Sequence, residues 1–142
     1  TTFPILTSTN IPVSGYGNTT VISQQGSNKL LYFRNDTYTD NGVAFSCRIV
    51  TDNDDFGTYY GKQGARLVVV ADRPSTNAQV NISWSDDDYQ TWSSPRSVEL
   101  NQQTPWLTRL GFFRRRAHKL EYSSGVFIRF KRLELDYNSG TS

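Results

Sequence analysis

Along most of this chain the apolar residues recur at every second position in short runs, and no stretch of useful length carries the 3.6-residue period of a helix. That alternation limits the chain to folds made of strands. The cleanest case is Val43-Ala44-Phe45-Ser46-Cys47-Arg48-Ile49-Val50-Thr51, where Val43, Phe45, Cys47 and Ile49 fall on one face and Ala44, Ser46 and Arg48 on the other. This places Cys47 on an apolar, core-facing side as a small hydrophobe. Further strands are expected at 29–34, 65–71, 80–84, 96–100, 108–122 (one long strand or a hairpin around Gly111) and 126–136. Ala65 to Ala71 is apolar on both faces and reads as a central strand. In the last run the apolar positions change parity, from Val126, Ile128 and Phe130 to Leu133 and Leu135, so one extra residue near Lys131 is expected as a β-bulge. Residues 1–28, dense in Ser, Thr, Asn, Gly and Pro, read as loop.

These elements predict an all-β chain, an antiparallel β-sandwich or jelly-roll-like domain of seven or eight strands. The expected core joins Val43, Phe45, Cys47 and Ile49 to Leu67, Val69, Val80, Ile82, Trp84, Ile128 and Phe130. Eight Tyr, eight Phe and three Trp in 142 residues suit such a sheet. No run of about 18 apolar residues offers a membrane-spanning helix, and no membrane partner is expected. A single Cys and a single His leave no internal disulfide and no likeness to a structural zinc site. The start, Thr1-Thr2-Phe3-Pro4, has no signal-peptide character, and the lack of any Met suggests a piece of a longer or processed protein. A net charge of +2 is too small to argue for nucleic acid.

Three segments could carry chemistry. Ser85-Asp86-Asp87-Asp88-Tyr89-Gln90-Thr91-Trp92 resembles the Asp-box turn, Ser-x-Asp-x-Gly-x-Thr-Trp. Ser85, Asp87, Thr91 and Trp92 match, and Tyr89 stands where the pattern has Gly. The expected role is structural, with Asp87 accepting backbone N–H bonds in a tight connection. Thr51 to Gly57 places Asp52, Asp54 and Gly57 as in a calcium loop. Phe56 sits at a ligand position, however, and Gln63 replaces the closing Glu, so a solvated acidic turn is expected and no metal. Arg109, Phe112, Phe113, Arg114, Arg115 and Arg116 interleave basic and aromatic residues. They read as a partner surface, with weak or no direct DNA binding. No catalytic constellation and no cofactor site emerge: His118 has no nucleophile elbow beside it, and no phosphate-cradling loop opens a helix.

Taken in order, Tyr38-Thr39-Asp40-Asn41-Gly42 with Arg48-Ile49-Val50-Thr51, then Asp55-Phe56-Gly57 with Lys62, then Ser85-Asp86-Asp87-Asp88 and Thr91-Trp92 form a series. It continues through Arg109-Leu110-Gly111 and Arg114 to Arg116, and closes on Val126-Phe127-Ile128 and Leu133-Glu134-Leu135-Asp136. Over about residues 30–136 this series resembles the C-terminal domain of the tail hub, or packaged-DNA stabilisation, proteins of short-tailed bacteriophages (podoviruses). The resemblance implies a virion tail component made in the bacterial host's cytoplasm. It would be a structural part and not an enzyme, would sit in a ring that closes the DNA channel, and would contact other tail proteins. It also implies that residues 1–35 are a linker and the last strand of an upstream propeller region, with 36–142 the sandwich. Two other readings compete: a carbohydrate- or host-receptor-binding module using Trp92, Trp106, Tyr59 and Tyr60, and a glycoside hydrolase fragment suggested by the Asp-box turn alone.

Overall fold

The computed structural model describes residues 5–15, 17–24, 29–34, 36–40 and 42–141, and the chain divides into two units, 1–43 and 44–142. In the first, β1 (Ile5–Val13), β2 (Gly17–Gln24) and β3 (Leu30–Tyr32) form an antiparallel meander in that order. Residues 5–24, expected as loop, are therefore mostly strand. The segment carries β-branched residues such as Thr9, Ile11, Val13, Thr19, Thr20, Val21 and Ile22, whose stiff side chains suit a pleated backbone even where they are polar. Gly15 and Gly17 take left-handed φ values of 82° and 68° around the tight connection. Asp40 and Val43 exchange backbone bonds of 2.7 and 2.8 Å, and Gly42 lies between them at φ 81°.

The second unit is a sandwich of two antiparallel sheets. One sheet holds β4 (Ser46–Val50), β10 (Ala117–Ser123), β6 (Gln79–Ser85) and β7 (Arg96–Glu99), in that spatial order. The other centres on β5 (Lys62–Ala71), with β11 (Phe130–Ser139) on one edge and both β8 (Trp106–Thr108) and β9 (Phe112–Phe113) on the other. The core between them is made by Leu67 and Val69 of β5, Val80 and Ile82 of β6, Val98 of β7, Leu107 of β8, and Leu120 and Tyr122 of β10. Ala78, Leu100 and Leu110 add to it, and Trp84, Ile128, Phe130, Leu133 and Leu135 pack around it. Burying each of the Val, Leu and Ile side chains of this core stabilises by about 1.5–3 kcal/mol.

The bulge expected at Lys131 is present. Phe130 pairs with Ala71 while Arg132 pairs with Val70, so Lys131 is the extra residue. It reaches Asp72 at 2.8 Å, and Arg129 reaches the same carboxylate at 2.9 Å. A second slip of opposite sense occurs on β5. Asp136 pairs with Arg66 and Tyr137 with Gly64, which leaves Ala65 extra and restores the original register. The inward parity changes on both strands as a result. Lys62 and Gly64 point inward before Ala65, and Leu67 and Val69 after it.

Two expectations need correction. β4 is shorter than the sequence run, and Val43, Phe45, Cys47 and Ile49 are all exposed instead of buried. Cys47 and Ile49 lie directly opposite Tyr122 and Leu120 in register, so they do occupy the core-side face of the sheet. However, β4 is the outermost strand, and the core closes over β10 and not over β4. The run 108–122 is neither one strand nor a hairpin around Gly111, because Arg109 at φ 56° and Gly111 at φ 74° turn the backbone between β8 and β9, which both pair with β5 and not with each other.

Candidate functional site

The connection between β6 and β7 holds the Asp-box-like residues. Ser85 ends β6, and its buried hydroxyl donates to Asp87 Oδ1 at 2.8 Å while accepting the Tyr89 N–H at 3.0 Å. Thr91 donates its N–H to Asp87 Oδ1 at 2.9 Å and its hydroxyl to Oδ2 at 2.5 Å. These donors, the Thr91 hydroxyl first, hold the Asp87 carboxyl down at about 2. Below the turn, Ser93 closes the loop onto Trp84 through bonds of 2.9 and 3.0 Å. Trp92 lies 6.1 Å from the Tyr89 ring, and the Lys119 ammonium sits 4.9 Å from its centroid. Tyr89 adopts φ 68° and Asp88 φ 57°, so Tyr takes the left-handed conformation that the Asp-box pattern gives to Gly. The Tyr89 hydroxyl reaches the Thr51 carbonyl at 3.3 Å.

The other two carboxylates of the loop meet the arginine run. Asp86 accepts Arg116 Nε at 2.6 Å and Nη2 at 2.7 Å, while Arg116 Nη1 donates to the Leu110 carbonyl at 2.6 Å. The guanidinium lies 4.1 Å from the Phe113 ring centroid and 5.2 Å from that of Trp84. Asp88 accepts both Arg115 and Asn53. Asp54 exchanges backbone bonds with Arg116 at 3.2 and 2.9 Å, and the Asp54 and Asp55 carboxylates bond the N–H groups of Phe56 and Gly57. The arginine cations thus pair with carboxylates of the Asp86 to Asp88 loop, and the other acidic loop joins it through Asn53 and the Asp54–Arg116 backbone bonds. Among the described residues no group of three His, Cys, Asp or Glu side chains could hold a metal ion.

The expected partner surface is corrected by this arrangement. Arg116 is 1% exposed and Phe113 is buried, so neither is available to a partner. Residues 114–116 connect β9 to β10, and within this connection Arg116 alone turns inward, where Asp86 and two rings match it. Arg115 is engaged with Asp88. Arg109, Phe112 and Arg114 stay at the surface.

Lys62 and His118 are buried polar groups that sequence reasoning passed over. The Lys62 ammonium donates to the carbonyls of Thr58, Tyr60 (3.0 Å) and Arg114 (2.9 Å), and among the described residues no carboxylate pairs with it. Its place on β5 after a run of turn residues gives no local sign of this. His118 stands opposite Trp84 on β10. Burial, reinforced by the Arg116 charge and only partly offset by Asp86, lowers its imidazole to about 4, and among the described residues Nε2 has no hydrogen-bond partner.

Around this polar knot lies an exposed aromatic surface. The Phe112 ring rests on Gly61, where an added Cβ would come 2.0 Å from its Cζ atom. Phe112 is 67% exposed, and Tyr59 and Tyr60 are exposed as well. Arg114 lies over Tyr59 at 5.5 Å and donates to its carbonyl at 3.3 Å.

The chain matches no protein-family model and no curated protein.

Proposed function

We propose that this chain is an assembly domain of a short-tailed bacteriophage tail hub, a structural virion part and not an enzyme, which helps to close the DNA channel and contacts other tail proteins. The observation that carries this reading is spatial. Thr51, Asp55 to Gly57, Lys62, Asp86 to Asp88, Leu110 and Arg114 to Arg116 come from separate segments of the sequence resemblance, and they converge on one polar knot at one end of the sandwich. Residues that recur together because they build a fold would be arranged in this way. The sole histidine is packed beside Arg116, a poor place for a proton carrier.

The surface this domain offers is Tyr59, Tyr60, Phe112 and Arg114, since exposed aromatics beside Arg are what protein interfaces enrich. The ring oligomer belongs to the intact tail. DNA passing through requires only non-specific contact, of about 10⁻⁴ M or weaker at physiological salt.

Cryo-electron microscopy of the virion whose genome encodes the chain tests this. The expected result is density for the sandwich in the tail below the portal, with Tyr59 and Phe112 against a neighbouring subunit. Absence of the protein from purified virions, or tight salt-sensitive DNA binding abolished by an Arg109→Ala/Arg114→Ala variant, would overturn it.

A further inference from the structure

Away from the knot, the outer face of the β5 sheet carries a shallow pocket lined by Arg66, Gln102, Gln103, Thr104 and Trp106. We infer that this pocket binds a neutral hexopyranose unit of a glycan, stacked on Trp106. Leu107 turns into the core, so its neighbour Trp106 faces out and is 49% exposed. An exposed indole presents a flat apolar surface that fits the C–H face of a pyranose ring.

The polar lining suits hydroxyl groups. Among the described residues the side chains of Gln102, Gln103 and Thr104 make no hydrogen bond within the protein, and each can both donate and accept, as sugar hydroxyls do. The charge is balanced. The Arg66 guanidinium lies 5.2 Å from the Trp106 centroid and is bonded to Asp136 Oδ2 at 2.9 and 2.7 Å. With the cation already matched, the pocket favours a neutral ligand over an anionic one.

The pocket is also preformed, which reduces the ordering cost of binding. Its loop is pinned at both ends. Arg73 donates to the Asn101 carbonyl at 2.6 Å and the Asn101 amide to Asn77 at 2.7 Å, while the Pro105 carbonyl accepts the Val69 N–H at 2.9 Å. Val68 pairs with Trp106 and Gln63 with Phe112, so the pocket and the aromatic surface contact β5 at points about 16 Å apart. Occupancy of one therefore does not exclude the other, and the inference does not rest on the assembly reading.

The test is a titration of the full chain with the methyl glycosides of glucose, galactose and mannose, followed by NMR at the three indole N–H signals and the amides of 102–104. At least one glycoside should shift the Trp106 indole and those amides saturably, while Trp84 and Trp92 stay still. Trp106→Ala should weaken the amide response at least tenfold, and Gln102→Ala/Gln103→Ala several-fold, both with an unchanged spectrum elsewhere. No saturable shift up to about 100 mM, far beyond useful affinity, would overturn the inference. So would an amide response that survives Trp106→Ala, or concentration-dependent shifts without sugar, which would mark a contact between copies of the chain.

Discussion

Asp86 holds the Arg116 guanidinium by two bonds, of 2.6 and 2.7 Å, although the arginine side chain is 1% exposed and the aspartate 37%. Removing the carboxylate would leave a buried cation without its counter-charge. Asp86→Ala should therefore cost about 3 kcal/mol, the lower end for a broken buried pair because Asp86 is partly solvated. Adding Arg116→Met should recover part of that loss. Urea denaturation of the Asp86→Ala and Arg116→Met single variants and of the double variant checks the point, and a double variant as weak as the sum of the two singles would sink it.

Asp87 should titrate with a midpoint of about 2, observable from its carboxyl carbon. Thr91→Val removes the hydroxyl that contributes most to this, so the midpoint should move up towards the ordinary value of 3.8. The folded-state pKa is depressed, so the turn's contribution to stability is present above about pH 4 and fades as the pH falls towards 2. Equal midpoints in the two proteins would contradict this account.

His118 acts in a different window. Its folded pKa of about 4 lies below the 6.5 of an unconstrained imidazole, so the unfolded chain takes up a proton first. Stability should be full above pH 6.5 and decline as the pH falls towards 4, by about 3 kcal/mol at most. His118→Gln should flatten this slope between about pH 7 and about pH 4.5, a range where few carboxylates titrate. An unchanged slope in the variant would count against the assignment.

Two buried glycines should respond differently to the same substitution. A Cβ at Gly64 would come 2.7 Å from the Cβ of Leu110, an atom fixed to the core backbone. Gly64→Ala should cost about 1–3 kcal/mol through overpacking. At Gly61 the obstacle is the far end of the exposed Phe112 ring, which can swing aside, so Gly61→Ala should lose less and disturb the aromatic surface instead. Thermal melts of both variants decide it, and equal losses would mean that the Phe112 ring is as fixed as the core.

The sandwich and much of its core were legible in the sequence because Leu67, Val69, Val80 and Ile82 alternate in runs covered by a facing sheet. The bulge at Lys131 was legible too, since a parity change is a local record of an extra residue. β4 misled because alternation reports which face a residue occupies and not whether anything lies over that face. Residues 5–24 misled because threonine and asparagine serve strands and loops alike, and the partner strand decides. The turn at Asp87 is short-range and could be read from its spacing. Arg116 could not: its burial depends on Asp86, Trp84 and Phe113 meeting at one point, which no spacing along the chain records.

The extra residues Lys131 and Ala65 have a consequence for how this protein can change over evolutionary time. Each is the unpaired residue of its own bulge, so the residues on either side of it are already in step without it. Losing Lys131 alone would leave Phe130 opposite Ala71 and Arg132 opposite Val70, with Leu133 and Leu135 still on the inner face. Ala65 holds the same position on β5, between Gly64 and Arg66. The two are therefore like separate removable stitches, and lineages of this fold should be free to gain or lose either one without the other.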